Sequence, residues 1–162
     1  MDVIGGGKQG MSVHVKLIGI EQVMKAAREL EDNLKKKVIA TAARKASVPL
    51  IASAKSKVSV SNRPHHRYSE GKIVATYYPG NLKKSIAFFK SKKSTPNDLI
   101  FMVAPRTGGG RKNDGWYGRF LEYGTKNMAA QPFMGPAFES TKSTMDSIMS
   151  NEILTAVDKF NR

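Results

Sequence analysis

Residues 20–47 read IEQVMKAARELEDNLKKKVIATAARKAS, and apolar side chains recur in them every three or four positions. That spacing places one apolar stripe on a helix, formed by Val23, Ala27, Leu30, Leu34, Val38 and Ala42. Such a helix would extend roughly 40 Å, which is long for a small domain. The stretch therefore predicts a long amphipathic helix that covers one side of a core.

The flanks of this helix set the expected domain boundaries. Residues 1–10 are rich in glycine without periodicity and predict a flexible leader, while residues 12–17 alternate apolar and polar side chains like a strand. Downstream, Pro49 removes a backbone donor and predicts a kink or break before the apolar pattern resumes at Leu50. Residues 11–162 are expected to form a single domain.

Length and composition agree with one folded unit that carries an unusual charge. The chain has 162 residues, of which 40% are hydrophobic and 25% are charged. Its 27 basic and 13 acidic residues leave a net charge of +14. Residues 61–120 hold 12 basic and 3 acidic groups, or +9, whereas residues 121–162 hold 4 and 5. A partner that carries phosphates or carboxylates is expected.

Two loops and a hairpin are expected in the central part. Residues 59–81 combine prolines and glycines with Ser, Asn, His and Arg, which predicts a long basic loop, mobile over about 60–80. Residues 82–90 and 99–103 predict an antiparallel hairpin. Residues 105–115, PRTGGGRKNDG, predict a second mobile basic loop.

The C-terminal part predicts a short aromatic element and a second long helix. Residues 116–124 fit a short helix or turn that ends at Gly124, and apolar side chains recur at helical spacing from Pro136 onward. The expected fold class is α+β, with an antiparallel sheet of about three to five strands. The long N-terminal helix and the C-terminal helix would pack against one side of this sheet.

The sequence offers little for catalysis, metals or cofactors. Cysteine is absent, no GxSxG is present, and His14, His65 and His66 lack a helical HxxxH spacing. The Gly-rich residues 5–12 place Met11 where a phosphate-binding loop needs Lys. We expect no enzymatic activity, no metal and no cofactor. No apolar run is long enough to span a membrane.

Glu122 is the single carboxylate within the aromatic segment. A catalytic acid is one interpretation. The structural alternatives are an ion pair with a nearby Arg or Lys, or a capping contact with the backbone of Gly124 and Thr125.

The segment YGRFLEYGTKNMAAQPFMGPAFE, residues 117–139, resembles a family of head–tail joining proteins, also called neck or tail-completion proteins, of lambda-like tailed bacteriophages. In that family an aromatic stretch ends in E-x-G-T and is followed by P-F-x-x-P-A. The matching residues here are Glu122, Gly124, Thr125, Pro132, Phe133, Pro136 and Ala137. Residues 79–86, PGNLKKSI, are similar to the family's T-G-x-L-x-x-S-I turn, with Pro-Gly-Asn replacing its Thr-Gly spacing.

The resemblance implies a virion structural protein made in the host cytoplasm. It would form a ring of identical copies, six or twelve of them, in the neck. Its neighbours would be the head connector or stopper and the tail terminator or tail tube, and the genome would pass through the ring.

The motif itself favours a scaffold. Gly124 permits a positive φ, the two prolines stiffen the approach to the last helix, and Phe133 is placed to anchor that helix in the core. The candidate contacts to DNA phosphates or acidic neighbours are Arg63, Arg67, Arg106, Arg111 and Lys112. The alternative is a free-standing protein that binds nucleic acid without sequence preference, through phosphate neutralisation.

Overall fold

The computed structural model describes residues 32–95, 98–108 and 113–160. Within these ranges the fold is α+β, as predicted, with four helices and two small antiparallel sheets. The helices are α1 (Asp32–Lys57), α2 (Asn81–Ser85), α3 (Gly118–Tyr123) and α4 (Met134–Phe160). The strands are β1 (His65–Ser69), β2 (Lys72–Tyr77), β3 (Ile86–Lys90) and β4 (Phe101–Pro105).

The two long helices α1 and α4 pack against each other and form most of the core. They run antiparallel, because Lys45 lies 2.7 Å from Glu152 while Ser53, further along α1, contacts Ser140, earlier on α4. The buried positions of α1 include Ala42, Ala46, Leu50 and Ala54, and those of α4 include Met145, Met149, Ile153 and Val157. Three of these four α1 positions are alanine, and such small side chains let the two helices pack closely.

Pro49 lies inside α1, which continues to Lys57 instead of ending there. Of the predicted kink or break at Pro49, the break is therefore wrong. Leu50 and Ala54 are both buried, at 1% and 0% exposure. Their burial in the core stabilises the helix beyond Pro49, which has no N–H to donate to the helix.

The β3–β4 hairpin packs on α1, and Ile86 at the start of β3 and Val103 in the middle of β4 are buried. Its position confirms the hairpin predicted from residues 82–90 and 99–103. Residues 81–85 are helical, however, since Lys84 N–H donates to the Gly80 carbonyl at 3.0 Å. A glycine at φ 76° before α2 starts this turn, so the strand begins only at Ile86.

Residues 65–77, expected to lie in a long irregular loop, form the β1–β2 hairpin. The strands turn at Glu70 and Gly71, with φ of 51° and 75°, and the register shifts at a bulge after Arg67. The many turn-forming residues around it suggested a loop, but the β-branched residues of β2 favour a strand. The described sheets are thus two pairs of strands, not one sheet of three to five.

Several predictions fall on residues that the structure does not describe. These are the leader of residues 1–10, the strand of residues 12–17, the first part of the long helix, Arg111 and Lys112. In the described ranges, no helix is both long and apolar enough to cross a bilayer.

Candidate partner-binding surface

Glu122, at the end of α3, caps the first turn of α4. Its Oε2 accepts hydrogen bonds from the amides of Phe133 and Met134 at 2.8 and 2.9 Å, and its Oε1 accepts one from Gly135 at 2.9 Å. The carboxylate is 8% exposed. A negative charge at a helix N-terminus is stabilised by the amides that have no partner within the helix.

Pro136 and Ala137 account for the remaining backbone N–H positions in the first turn of α4. Proline has no N–H, and the Ala137 amide makes the first bond of the helical ladder, to the Phe133 carbonyl at 3.3 Å. The backbone from Phe133 to Ala137 is therefore left without an unpaired donor. This explains in physical terms why glutamate and proline occur together in the segment.

The chain between α3 and α4 turns tightly so that Glu122 can reach α4. Gly124 has a φ of 72°, and a Cβ there would lie 2.7 Å from the Met128 carbonyl oxygen. The Thr125 and Met128 amides exchange hydrogen bonds with each other's carbonyls, and Gln131 N–H donates to the Leu121 carbonyl at 2.7 Å. Gly124 is thus required by both its backbone conformation and its surroundings.

These contacts resolve the alternatives for Glu122. It is a capping residue, but it caps α4 and not the Gly124–Thr125 backbone. Both carboxylate oxygens accept amide hydrogen bonds. Phe133 is 1% exposed, as predicted for a core anchor, whereas Pro132 is exposed.

The β1–β2 hairpin exposes an unusual amount of apolar surface for an element of its size. Tyr68, Ile73 and Val74 are 61%, 55% and 52% exposed, and Tyr68 and Ile73 face each other across the strands. All five residues of β1 are exposed. A two-stranded hairpin is marginal alone in water, so these side chains are suited to contact a partner.

A groove of about 700 Å³ lies between the base of this hairpin and the aromatic segment around α3. Its wall includes Tyr77, Trp116, Tyr117 and Phe120, whose rings contact one another edge-on or tilted at 5.2 to 6.3 Å. The Arg67 guanidinium lies 4.9 Å above the Trp116 ring. This is a cation–π arrangement at an aromatic surface.

Trp116 also carries a buried N–H without a partner. In the part of the chain that the structure describes, its Nε1 is the buried side-chain polar atom that makes no hydrogen bond. The backbone amide of Trp116 is held by the Asp114 carboxylate at 3.0 Å. A buried indole donor without a partner costs free energy.

The structure brings three of the five predicted contact residues to this side of the molecule. Arg63 precedes β1, Arg67 lies on it, and the Arg106 carbonyl accepts a hydrogen bond from Gly115, next to Trp116. All three side chains are exposed. Arg111 and Lys112 lie outside the described residues.

The sequence did not predict the groove or the β1–β2 hairpin that borders it. The usable signal was the aromatic pair Tyr77 and Tyr78 at the end of a β-branched run, together with Trp116 and Tyr117. Nothing in their spacing shows that these segments, nearly forty residues apart, meet. The described residues, which include His65 and His66, hold no group of three His, Cys, Asp or Glu side chains suited to a metal ion.

We compared the chain with models of protein families, with curated proteins and with solved structures. None of the three comparisons found a match.

Proposed function

We propose that this chain is a structural protein of a tailed-phage virion, a subunit of the ring that joins the head connector to the tail around the DNA channel. The proposal rests on the resemblance of residues 117–139 to head–tail joining proteins. It assigns the protein no catalytic role and no cofactor.

The observation that carries the proposal is that the motif residues act as one structural unit. Glu122 caps α4, Gly124 permits the return turn, and Phe133 is buried at the start of α4. A motif whose residues fix the packing of two elements is typical of a scaffold, whereas a catalytic motif leaves polar groups free for substrate. The residues that carry the resemblance thus have defined structural roles in this chain.

The surface supports the same proposal. A ring subunit needs surfaces that its own chain leaves uncovered and that a neighbouring copy can contact. The β1–β2 hairpin has such a surface. The exposed Arg63, Arg67 and Arg106 would meet DNA phosphates in the channel or acidic faces of neighbouring ring proteins.

Two measurements on the purified protein test the proposal against a free-standing nucleic-acid-binding protein. Negative-stain electron microscopy looks for rings, alone and with connector or tail proteins. In parallel, duplex DNA binding is titrated with salt. For a dedicated nucleic-acid-binding protein, the logarithm of the binding constant falls linearly with the logarithm of the salt concentration. The slope is about −0.9 for each phosphate that the protein contacts.

Rings together with weak duplex binding are the expected result. Tight duplex binding by single copies, steep in salt and without rings under any condition, would contradict the neck assignment and favour the alternative.

A further inference from the structure

We propose that the β1–β2 hairpin of one copy docks on the outer face of α4 of the next copy, and that this contact builds the ring. The inference rests on the proposed function and names the surfaces that it leaves open. The occupant of the hairpin surface is thus a second copy of this chain.

The hairpin side of the contact is an apolar surface that its own chain leaves uncovered. Tyr68, Ile73 and Val74 lie next to one another around the turn and are all more than half exposed. Burying them would contribute roughly 25 cal/mol for each Å² of apolar surface removed from water. Such a surface favours a protein partner over a phosphate backbone, because phosphates offer no apolar complement.

Charge selects which protein surface fits. Residues 63–84, the hairpin with the residues on either side of it, carry five Lys or Arg and one Glu, or +4, and residues 65–77 alone carry two basic and one acidic residue. Residues 134–160, which form α4, carry four Asp or Glu and two Lys, or −2. In a chain of +14, α4 thus has a net negative charge, although Glu139 pairs with Lys142 on the same helix and Glu152 pairs with Lys45 of α1. Basic side chains in and beside the hairpin of another copy would meet Asp146 and Asp158 with favourable electrostatics.

The outer face of α4 is available for this contact. Its inner face is buried against α1, while Glu139, Asp146 and Asp158 are exposed. Leu154, on the same outer side, is 40% exposed. This face therefore combines carboxylates with an apolar side chain, which matches the mixture of Arg, Lys and apolar residues on the hairpin.

A contact between two different elements is either reciprocal within a twofold dimer or head to tail, and the proposal is the head-to-tail form. A head-to-tail contact repeats from copy to copy and either closes as a ring or continues as a filament. A closed ring is what the neck proposal requires.

Cysteine crosslinking tests the contact directly, because the chain has no cysteine of its own. The double variant Ile73→Cys with Leu154→Cys places one thiol on each proposed surface. At high protein concentration with a mild oxidant, we expect a ladder of disulfide-linked multimers up to the full ring on non-reducing gels. The matched control combines Ile73→Cys with Val48→Cys, since Val48 is exposed at 61% on α1.

Charge reversal gives a second, independent readout. Arg63→Glu with Lys72→Glu should reduce the ladder at least tenfold, and adding Asp146→Lys with Asp158→Lys should restore it. All four side chains are exposed, so circular dichroism should show an unchanged fold. These substitutions avoid Arg67, which contacts Trp116.

A ladder from the Val48 control equal to that of the Leu154 variant, no ladder above dimers, or a reversal that is not restored would each overturn the inference. These results leave the neck proposal standing if electron microscopy still shows rings. DNA capture by the hairpin would appear instead as duplex binding lost in the Arg63 and Lys72 variant.

Discussion

At the scale of single residues, Glu122 determines how the last helix begins. Glu122→Ala would leave the amides of Phe133, Met134 and Gly135 without their acceptor inside a mostly buried turn. The expected loss in the free energy of unfolding is about 1–3 kcal/mol. Chemical denaturation measures it, and Glu139→Ala on the exposed side of α4 should change little. Equal stability of the two variants would contradict the capping role.

Gly124 allows a test of backbone conformation against steric space. Gly124→Ala meets both a left-handed φ and the Met128 carbonyl oxygen 2.7 Å away. Gly71→Ala has the same problem of φ, at 75°, but open space around the new Cβ. Gly71→Ala should cost about 1–2 kcal/mol, and Gly124→Ala clearly more. If thermal unfolding ranks them the other way, the turn is not as tight as described.

Phe133 is the largest of the fully buried side chains. Phe133→Ala should lower the free energy of unfolding by about 3–5 kcal/mol, because it removes apolar contacts and leaves a cavity. Tyr123→Ala, at a side chain 69% exposed, is the matched control. A melting temperature that is unchanged by Phe133→Ala would instead place Phe133 at an interface between copies.

The sequence predicted part of what these residues do. The burial of Phe133 follows from an aromatic residue between two prolines at the start of an apolar helix, and the structure confirms it. The partner of Glu122 could not be predicted, because its acceptor role depends on the fold of the ten-residue connection between α3 and α4, residues 124–133. That connection depends on the Thr125–Met128 pairing, which no local pattern encodes.

At the scale of elements, the close approach of α1 and α4 depends on alanine. Ala54 is fully buried, so Ala54→Leu would force extra atoms into the packed helix interface. The expected cost is about 1–3 kcal/mol. Ala52→Leu, two residues earlier on an exposed position of the same helix, should be close to neutral. Denaturant midpoints measured for both variants test this difference. Equal midpoints would contradict close packing of α1 and α4 at Ala54.

Long elements were predictable and short ones were not. Apolar residues at helical spacing over many turns fixed α4, and α1 from Leu34 onward. The five-residue helix α2 and the β1–β2 hairpin were assigned otherwise, because Gly and Pro dominate their neighbourhoods. In both places a glycine with positive φ precedes a helix or strand. In the sequence alone, the same glycine indicates a loop.

At the scale of the whole molecule, the basic residues and the residues of the motif lie in different parts of the chain. The motif-bearing C-terminal part is nearly neutral, and the basic excess lies between residues 61 and 120. Charge reversal of Arg106, Arg111 and Lys112 to Glu should therefore leave the melting temperature of the purified protein almost unchanged. In infected cells it should reduce the yield of infectious particles or the retention of DNA, because contacts to phosphates or to acidic neighbours are lost.

A wild-type titre from that triple variant would exclude a role for these three residues in assembly. A variant that fails to fold would show that the charges belong to the scaffold after all. The matched control is the same reversal at Lys92 and Lys93, which are exposed in the turn that follows β3.

The isolation of the β1–β2 hairpin also governs how the molecule fluctuates. Amides of α1 and α4 are protected by a shared core, so their exchange with deuterated water requires opening close to global unfolding. Amides of the hairpin need only local fraying, and they should exchange orders of magnitude faster in a single copy. Because partner binding would remove that fraying, slowed exchange of residues 65–77 would report assembly before any image of a ring is taken.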